Sequence, residues 1–347
     1  MKTTNRKLSL LAYGLCLAAV LYNCKSKEVD PPGSGVYTFP ALDKVKMPDL
    51  KVSTPAAVTV TAATITSSTL AAAVNAGLKN IAATGQVPSV VTDASSNVGK
   101  AIPADKAAAI IAAFTPDVIN NLVSKGEMPA SLKADVSAAA ANPLLQGYMI
   151  AYTLPTVNGK PVSGRSGATV AVALSPNSVT DLDACRKAAN DAYTKAVAGY
   201  DAIKATQTAA VNTAYTQNEV AANAEVAGCQ SGIPTKYNAL IAAAKSDFDA
   251  VMAALTASRS ALGEQVYAQQ LVLAYVTFGQ IITVYNSLIT AETSACALTK
   301  DAKISAAKAA RDSDLNTINT NYTATVKAAE SARDFEIASC HNQGNGG

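Results

Sequence analysis

The pattern of hydrophobic and polar positions changes character near residue 179. From about residue 36 to residue 178 the pattern shifts every ten to fifteen residues, and 11 prolines interrupt it. Proline lacks a backbone N–H and disrupts helix interiors, so this part can hold only short elements. After Thr180 there is a single proline, Pro234. The sequence therefore predicts a mainly α protein, in which a small α+β or mostly helical domain, residues 36–178, precedes a bundle of long helices, residues 180–341.

Short helices are expected at three places in the first part. Alanine-rich apolar runs at 69–83 and 104–114 predict two of them. The third has clear boundary signals, with Thr115 as N-cap, Pro116 in the first turn and Gly126 as the stop.

Strands are expected between these helices and at the end of the first part. Residues 56–66 alternate and are rich in β-branched side chains, which predicts a half-buried strand. Asn158 and Gly159 predict a hairpin turn, and residues 167–174 predict one more strand.

Two cysteine pairs in the second part share one spacing. Cys185 and Cys229 are 44 residues apart, and so are Cys296 and Cys340. Eleven residues make about three helical turns, so four such repeats bring each pair onto one face of a helix of about 45 residues. The stripe between the cysteines also includes four basic residues, whose stems are expected to lie along the seam with their charged heads in water: Lys204, Lys300, Arg311 and Arg333.

These four cysteines permit three pairings. If the two long helices lie antiparallel, disulfides join Cys185 to Cys340 and Cys229 to Cys296, which is the pairing we favour. The rival joins Cys185 to Cys229 and Cys296 to Cys340. It requires each segment to fold back on itself, because a disulfide needs Cα atoms within about 7 Å, and only Gly199 offers a break. Free thiols are the remaining alternative.

A shorter helix pair is predicted between the two disulfides. Residues 234–262 carry a heptad seam of apolar positions, with Pro234 at the start and Gly263 at the end. Residues 271–289 are apolar almost all round, as in a helix at the centre of a bundle. A helix that inserts into a membrane is the alternative for this stretch. With a further boundary near Thr290, the four helices of the bundle run up, down, up and down.

The first residues of the chain predict export. Three basic residues precede an apolar run of 14 residues, which is the order of a secretory signal and is short for a membrane span. Residues 21–24, LYNC, place an aliphatic residue three positions before a cysteine, and this stretch resembles the lipobox of bacterial lipoproteins. The resemblance implies that the signal peptide, residues 1–23, is removed and that Cys24 becomes a lipid-bearing, palmitate-carrying N-terminus. Plain secretion is the alternative, because Tyr22 and Asn23 replace the small residues of that family.

The same resemblance implies the outer membrane, because Lys25 stands where lipoproteins of the inner membrane have aspartate. Residues 24–35 then form a polar tether, interrupted by proline and glycine, and the folded body faces either the periplasm or the cell surface. With Cys16 lost in the signal and Cys24 lipidated, four cysteines remain. An even number of cysteines suits disulfide formation in an oxidising compartment.

Charge and histidine content exclude several classes of function. Removal of residues 1–23 leaves 25 basic and 25 acidic residues, so nothing favours nucleic acid as a partner. His341 is the single histidine of the chain, which excludes metal sites built on several histidines. We interpret it as a solvated residue at a helix end, before a disordered tail at 342–347.

No catalytic constellation is predicted. Asp312, Asp314 and Asn316 have the spacing of a calcium loop but lack its glycine and its final glutamate, so we interpret them as a polar helix face. No cofactor, metal site or catalytic residue is expected, and the chain is not expected to be an enzyme.

Three hypotheses for the function remain. The first is a non-enzymatic, lipid-anchored cell-envelope protein whose helical stalk is a scaffold for interaction with another envelope or surface protein. The second is a ligand-binding module with a site in the N-terminal domain or at its junction with the bundle, which a deep cleft near residues 148–157 would favour. The third is a membrane-active helical protein that inserts residues 271–289.

Overall fold

The computed structural model describes residues 37–162 and 184–340. Two compact units divide them. The first unit comprises residues 37–46, 184–199 and 325–340, and the second comprises residues 47–162 and 200–324. The mainly α fold predicted from the sequence is confirmed. Cys24, the strand predicted at 167–174 and His341 lie outside the described residues.

The described residues up to Val162 form seven helices, of which the longest has 16 residues. In chain order these are α1 (Pro40–Asp43), α2 (Thr69–Thr84), α3 (Ser89–Ala101), α4 (Ala104–Ala113), α5 (Pro116–Lys125), α6 (Ala130–Ala141) and α7 (Pro143–Gln146). Helix α1 belongs to the first unit and the other six to the second.

The boundaries of α5 follow the predicted signals. The Thr115 hydroxyl accepts a hydrogen bond from the Val118 N–H at 3.3 Å, as an N-cap does. Pro116 opens the helix, and Gly126 ends it in the left-handed region with φ 70°. A residue with a Cβ is strained there, so the glycine fixes the point at which α5 stops.

Five short strands complete the second unit. The strands β1 (Val60–Thr61), β4 (Thr156–Val157) and β5 (Lys160–Pro161) form an antiparallel three-stranded sheet, and β2 (Thr64–Thr66) pairs with β3 (Ala151–Thr153). The predicted turn at Asn158 and Gly159 joins β4 to β5, with φ of 51° and 72°. The single half-buried strand predicted at 56–66 is instead two short strands that are mostly exposed.

The C-terminal part differs from the predicted four-helix bundle. One helical element, α8, runs from Ala184 to Ser339, and inside it only Gly263, with φ 72° and ψ 161°, leaves helical geometry. α8 therefore has two arms, which we call the first arm (residues 184–262) and the second arm (residues 264–339). The boundaries predicted at Pro234 and near Thr290 were wrong, and the up-down-up-down order was wrong with them.

Packing explains why the helix continues through these two points. A proline inside a helix costs about 3 kcal/mol relative to alanine. Ile233 and Tyr237, on either side of Pro234, are 6% and 0% exposed, so burial of neighbouring side chains holds the helical path. At the second point the Thr290 hydroxyl donates to the Asn286 carbonyl within the helix, and Leu288 is fully buried.

One hydrophobic core of the second unit draws residues from both parts of the sequence. The short helices contribute Leu78, Ile110 and Leu122, and the two arms contribute Leu255 and Ile282, all at most 1% exposed. Residues on both sides of the change of pattern near residue 179 therefore belong to the same core.

Candidate functional site

The two arms of α8 are joined covalently in each unit. In the first unit Cys185 is bonded to Cys340, with Cα atoms 6.0 Å apart. In the second unit Cys229 is bonded to Cys296, with Cα atoms 5.9 Å apart. This is the pairing predicted for antiparallel helices, and in this structure the rival pairing within each long segment is not formed.

Charged side chains on the seam between the arms do not simply extend into water as predicted. In the second unit the Arg311 guanidinium lies over the Tyr215 ring, 4.5 Å from its centroid, and the Lys204 ammonium lies 4.4 Å above the Tyr322 ring. In the first unit Arg333 covers Tyr193 at 4.7 Å. The three residues of the first arm, at 193, 204 and 215, are 11 positions apart, and so are the three of the second arm, at 311, 322 and 333. The cation–π contacts therefore repeat with the eleven-residue spacing of the seam. The fourth predicted residue, Lys300, forms an ion pair with Asp301.

The N-terminal segment is attached to the arms by buried polar side chains. In the first unit the Ala41 N–H donates to the Glu336 carboxylate at 2.8 Å, and Glu336 is 4% exposed. In the second unit Ser53 donates to the Asp314 carboxylate twice, through its N–H at 2.8 Å and its hydroxyl at 2.6 Å. The Gln207 amide donates to the Pro48 carbonyl at 2.9 Å. An acceptor on α8 thus fixes the segment in each unit.

The aspartates with calcium-loop spacing have separate roles. Asp314 is 4% exposed and binds Ser53, so it is not part of an open polar face as predicted. Hydrogen bonds from Lys308 and then Arg311 hold the pKa of Asp312 below its usual range. Within residues 37–162 and 184–340, no group of three or more His, Cys, Asp or Glu side chains is placed to hold a metal.

An apolar cavity of about 370 Å³ opens in the second unit between α2, the segment after α7 and both arms of α8. Its walls include Val74 and Leu78 of α2, and Phe248, Val251 and Phe278 of the arms. The Phe248 and Phe278 rings are stacked with centroids 4.3 Å apart. Cavities of this size with apolar and aromatic walls are typical of small-molecule sites.

Few polar groups reach this cavity. At the inner side Gln270, 2% exposed, donates through Nε2 to the Val91 carbonyl and the Ser95 hydroxyl, both at 2.9 Å. At the rim lies Asp247, whose side chain is exposed. Burial, and then the Asp247 carboxylate, raise the pKa of the neighbouring Tyr285 hydroxyl, which therefore stays neutral at physiological pH. The cavity can bury an apolar body and offer it hydrogen-bond acceptors.

Sequence patterns indicated this cavity only in part. Tyr148 and Ile150, at the start of the stretch where a cleft was proposed, line it. The near-continuous apolar pattern of residues 271–289 also indicated a central helix. No sequence pattern indicated that Asp247 or Gln270 lines a cavity, because their surroundings come from distant segments of the chain.

Among the described residues, α8 is long and apolar enough to cross a membrane, and the bent pair α4 and α5 would count as a second such span if it formed one. In the apolar stretch of 18 residues of α8 that meets this criterion, 61% is buried within the protein. Residues 271–276 are all buried. In this structure the stretch proposed for membrane insertion therefore packs as core.

No protein-family model matches the chain, no curated protein matches its sequence, and no solved structure matches its fold. The function is therefore inferred from the residues and geometry described above.

Proposed function

We propose that the protein is a non-enzymatic lipoprotein of the outer membrane, anchored through Cys24, whose disulfide-joined arms form a scaffold for binding another envelope protein. The attachment of Ala41 to Glu336 in the first unit carries this proposal, because Glu336 is four residues from the disulfide-bonded Cys340. A short tether from Cys24 would thus lead into the first unit, where a disulfide joins the two arms.

The two disulfides support the same compartment as the predicted signal. Structural disulfides persist in the periplasm and at cell surfaces, and they are rare in the bacterial cytosol. Each one joins the first arm to the second, so the two arms cannot separate in either unit. A binding surface formed by both arms would therefore be held together by covalent bonds.

Substitution of the lipidated cysteine tests the anchor. We expect the wild-type protein to fractionate with the outer membrane and to yield an acylated N-terminal peptide beginning at Cys24. Cys24→Ser should release the protein into the soluble fraction, while Cys16→Ser, inside the predicted signal, should behave as wild type. A wild-type mature N-terminus without acyl chains would contradict the lipoprotein assignment.

Quantitative crosslinked pull-downs from envelopes test the scaffold. The wild-type protein should enrich a defined envelope protein, and the double variant Cys185→Ser/Cys340→Ser should lose most of this enrichment while it remains lipidated. The Cys16→Ser variant is the control for handling. Equal enrichment by wild type and the double variant would show that the disulfide-joined arms do not form the binding surface.

The cavity favours a second candidate function, the binding of a small apolar ligand. The neutral fluorophore N-phenyl-1-naphthylamine, added to delipidated mature protein, should gain fluorescence on entering an apolar site. Ala244→Phe, on the cavity wall, should abolish the gain, while Ala242→Phe, exposed on the same arm and outside the cavity, should not. A wild-type protein that gives no gain would reject this candidate.

A further inference from the structure

We propose that the cavity of the second unit binds a small amphipathic amine, with its apolar body between α2 and the arms and its ammonium group at Asp247. This inference rests on the second candidate function, ligand binding, and specifies the chemistry of the ligand. Three features of the cavity carry it: the walls, an inner acceptor and the charge at the rim.

The walls favour an apolar body. Side chains from α2 and from both arms form them, and three of these residues, Val74, Leu78 and Phe278, are at most 2% exposed. Burial of apolar area contributes roughly 25 cal/mol per Å², so an alkyl or aryl body gains most of its binding free energy here. The volume of about 370 Å³ is near the lower end of ligand cavities, which favours a small molecule over a peptide.

The inner side of the cavity favours a hydrogen-bond donor on the ligand. Gln270 is 98% buried and uses Nε2 for its two hydrogen bonds, to Val91 and Ser95. Among the described residues no donor reaches its Oε1, although the side chain lines the cavity. Gln270 Oε1 is not among the enclosed unpaired atoms of the described residues, so it is accessible, and a ligand that donates to it gains a hydrogen bond that a purely apolar ligand cannot form.

The rim favours a positive charge. Asp247 is the one charged side chain among the described residues that line the cavity, and no lysine, arginine or histidine is found there. The nearest basic residue in sequence, Lys245, pairs with Asp249 through both carboxylate oxygens, at 2.7 Å and 2.6 Å. Tyr285, beside Asp247, offers a neutral hydroxyl. Within residues 37–162 and 184–340 no basic side chain forms a salt bridge with Asp247, and such a carboxylate at the mouth of an apolar cavity favours cations over anions.

Three probes of one chain length separate the contributions of body and charge. Octylamine, 1-octanol and octanoate are titrated by calorimetry into delipidated mature protein at neutral pH. We expect octylamine to bind about tenfold more tightly than 1-octanol, since hydrogen bonds to charged groups exceed neutral ones by about this factor, and octanoate to bind most weakly.

Two carboxylate variants on the same arm provide the test and its control. Asp247→Asn should lower the affinity for octylamine to that for 1-octanol and leave 1-octanol binding unchanged. Asp201→Asn removes an exposed carboxylate of the same arm that does not line the cavity, so it should preserve the preference for the amine. Both positions are exposed, so neither change is expected to affect folding.

The outcomes distinguish this inference from ligand binding in general. If 1-octanol and N-phenyl-1-naphthylamine bind but octylamine shows no preference, or if Asp247→Asn retains the preference, the cavity is a ligand site and the amine assignment is overturned. If no probe binds the wild-type protein, the second candidate function and this inference both fail.

Discussion

At the scale of single residues, buried acceptors on α8 fix the N-terminal segment. Asp314 accepts two hydrogen bonds from Ser53, although the two residues are 261 positions apart in the chain. From sequence alone Asp314 belongs to a polar face, because its spacing with Asp312 and Asn316 carries no information about so distant a partner. Such contacts cannot be derived from local periodicity, which describes one helix at a time.

The Asp314→Ala variant tests this attachment. The change removes the buried, charged acceptor of two hydrogen bonds from Ser53, so we expect a loss of about 1–3 kcal/mol in the free energy of unfolding. Urea denaturation followed by circular dichroism measures it. Asp312→Ala removes an exposed carboxylate paired with Lys308 and should cost less than about 1 kcal/mol. Equal losses in the two variants would show that the contact with Ser53 does not stabilise the fold.

At the scale of elements, helix caps and turn residues predicted boundaries correctly, whereas a single proline did not. Thr115 and Gly126 fix the ends of α5, and Asn158 begins a hairpin turn, because each geometry requires a specific residue type. Pro234 misled the prediction, since proline opens many helices but is also tolerated inside one where packing compensates.

The four cysteines are placed almost symmetrically about Gly263, and the four-helix prediction did not take this symmetry into account. Cys229 and Cys296 lie 34 residues before and 33 residues after Gly263, and Cys185 and Cys340 lie 78 before and 77 after it. Two antiparallel arms that meet at Gly263 bring both pairs opposite each other without any further break. A bundle with additional turns has no reason to show this symmetry.

The Pro234→Ala variant separates a continuous first arm from a helix that begins at residue 234. Inside a helix, alanine restores a backbone donor and removes a steric clash, so we expect stabilisation on the order of 1–3 kcal/mol. Thermal unfolding measures the change. Pro116→Ala, where the proline opens α5, should give no gain. A destabilised Pro234→Ala protein would indicate that a helix starts there.

At the scale of the whole molecule, the sequence predicted the helical class and favoured the cysteine pairing that the structure has, whereas the shared core and the cavity are seen only in the structure. Gln270 reaches Val91, 179 residues away, and this contact brings a polar group of the second arm to a wall of the cavity. Apolar patterns predict that both segments are buried, but they do not predict which buried faces meet or where a space remains between them.

The two arms of α8 lie antiparallel and are joined to each other in both units. Peptide mapping of the native, non-reduced protein tests it directly, because trypsin separates all four cysteines into the fragments 166–186, 205–236, 260–300 and 334–347. We expect 166–186 to be recovered linked to 334–347, and 205–236 linked to 260–300. Recovery of 166–186 linked to 205–236 would contradict this arrangement.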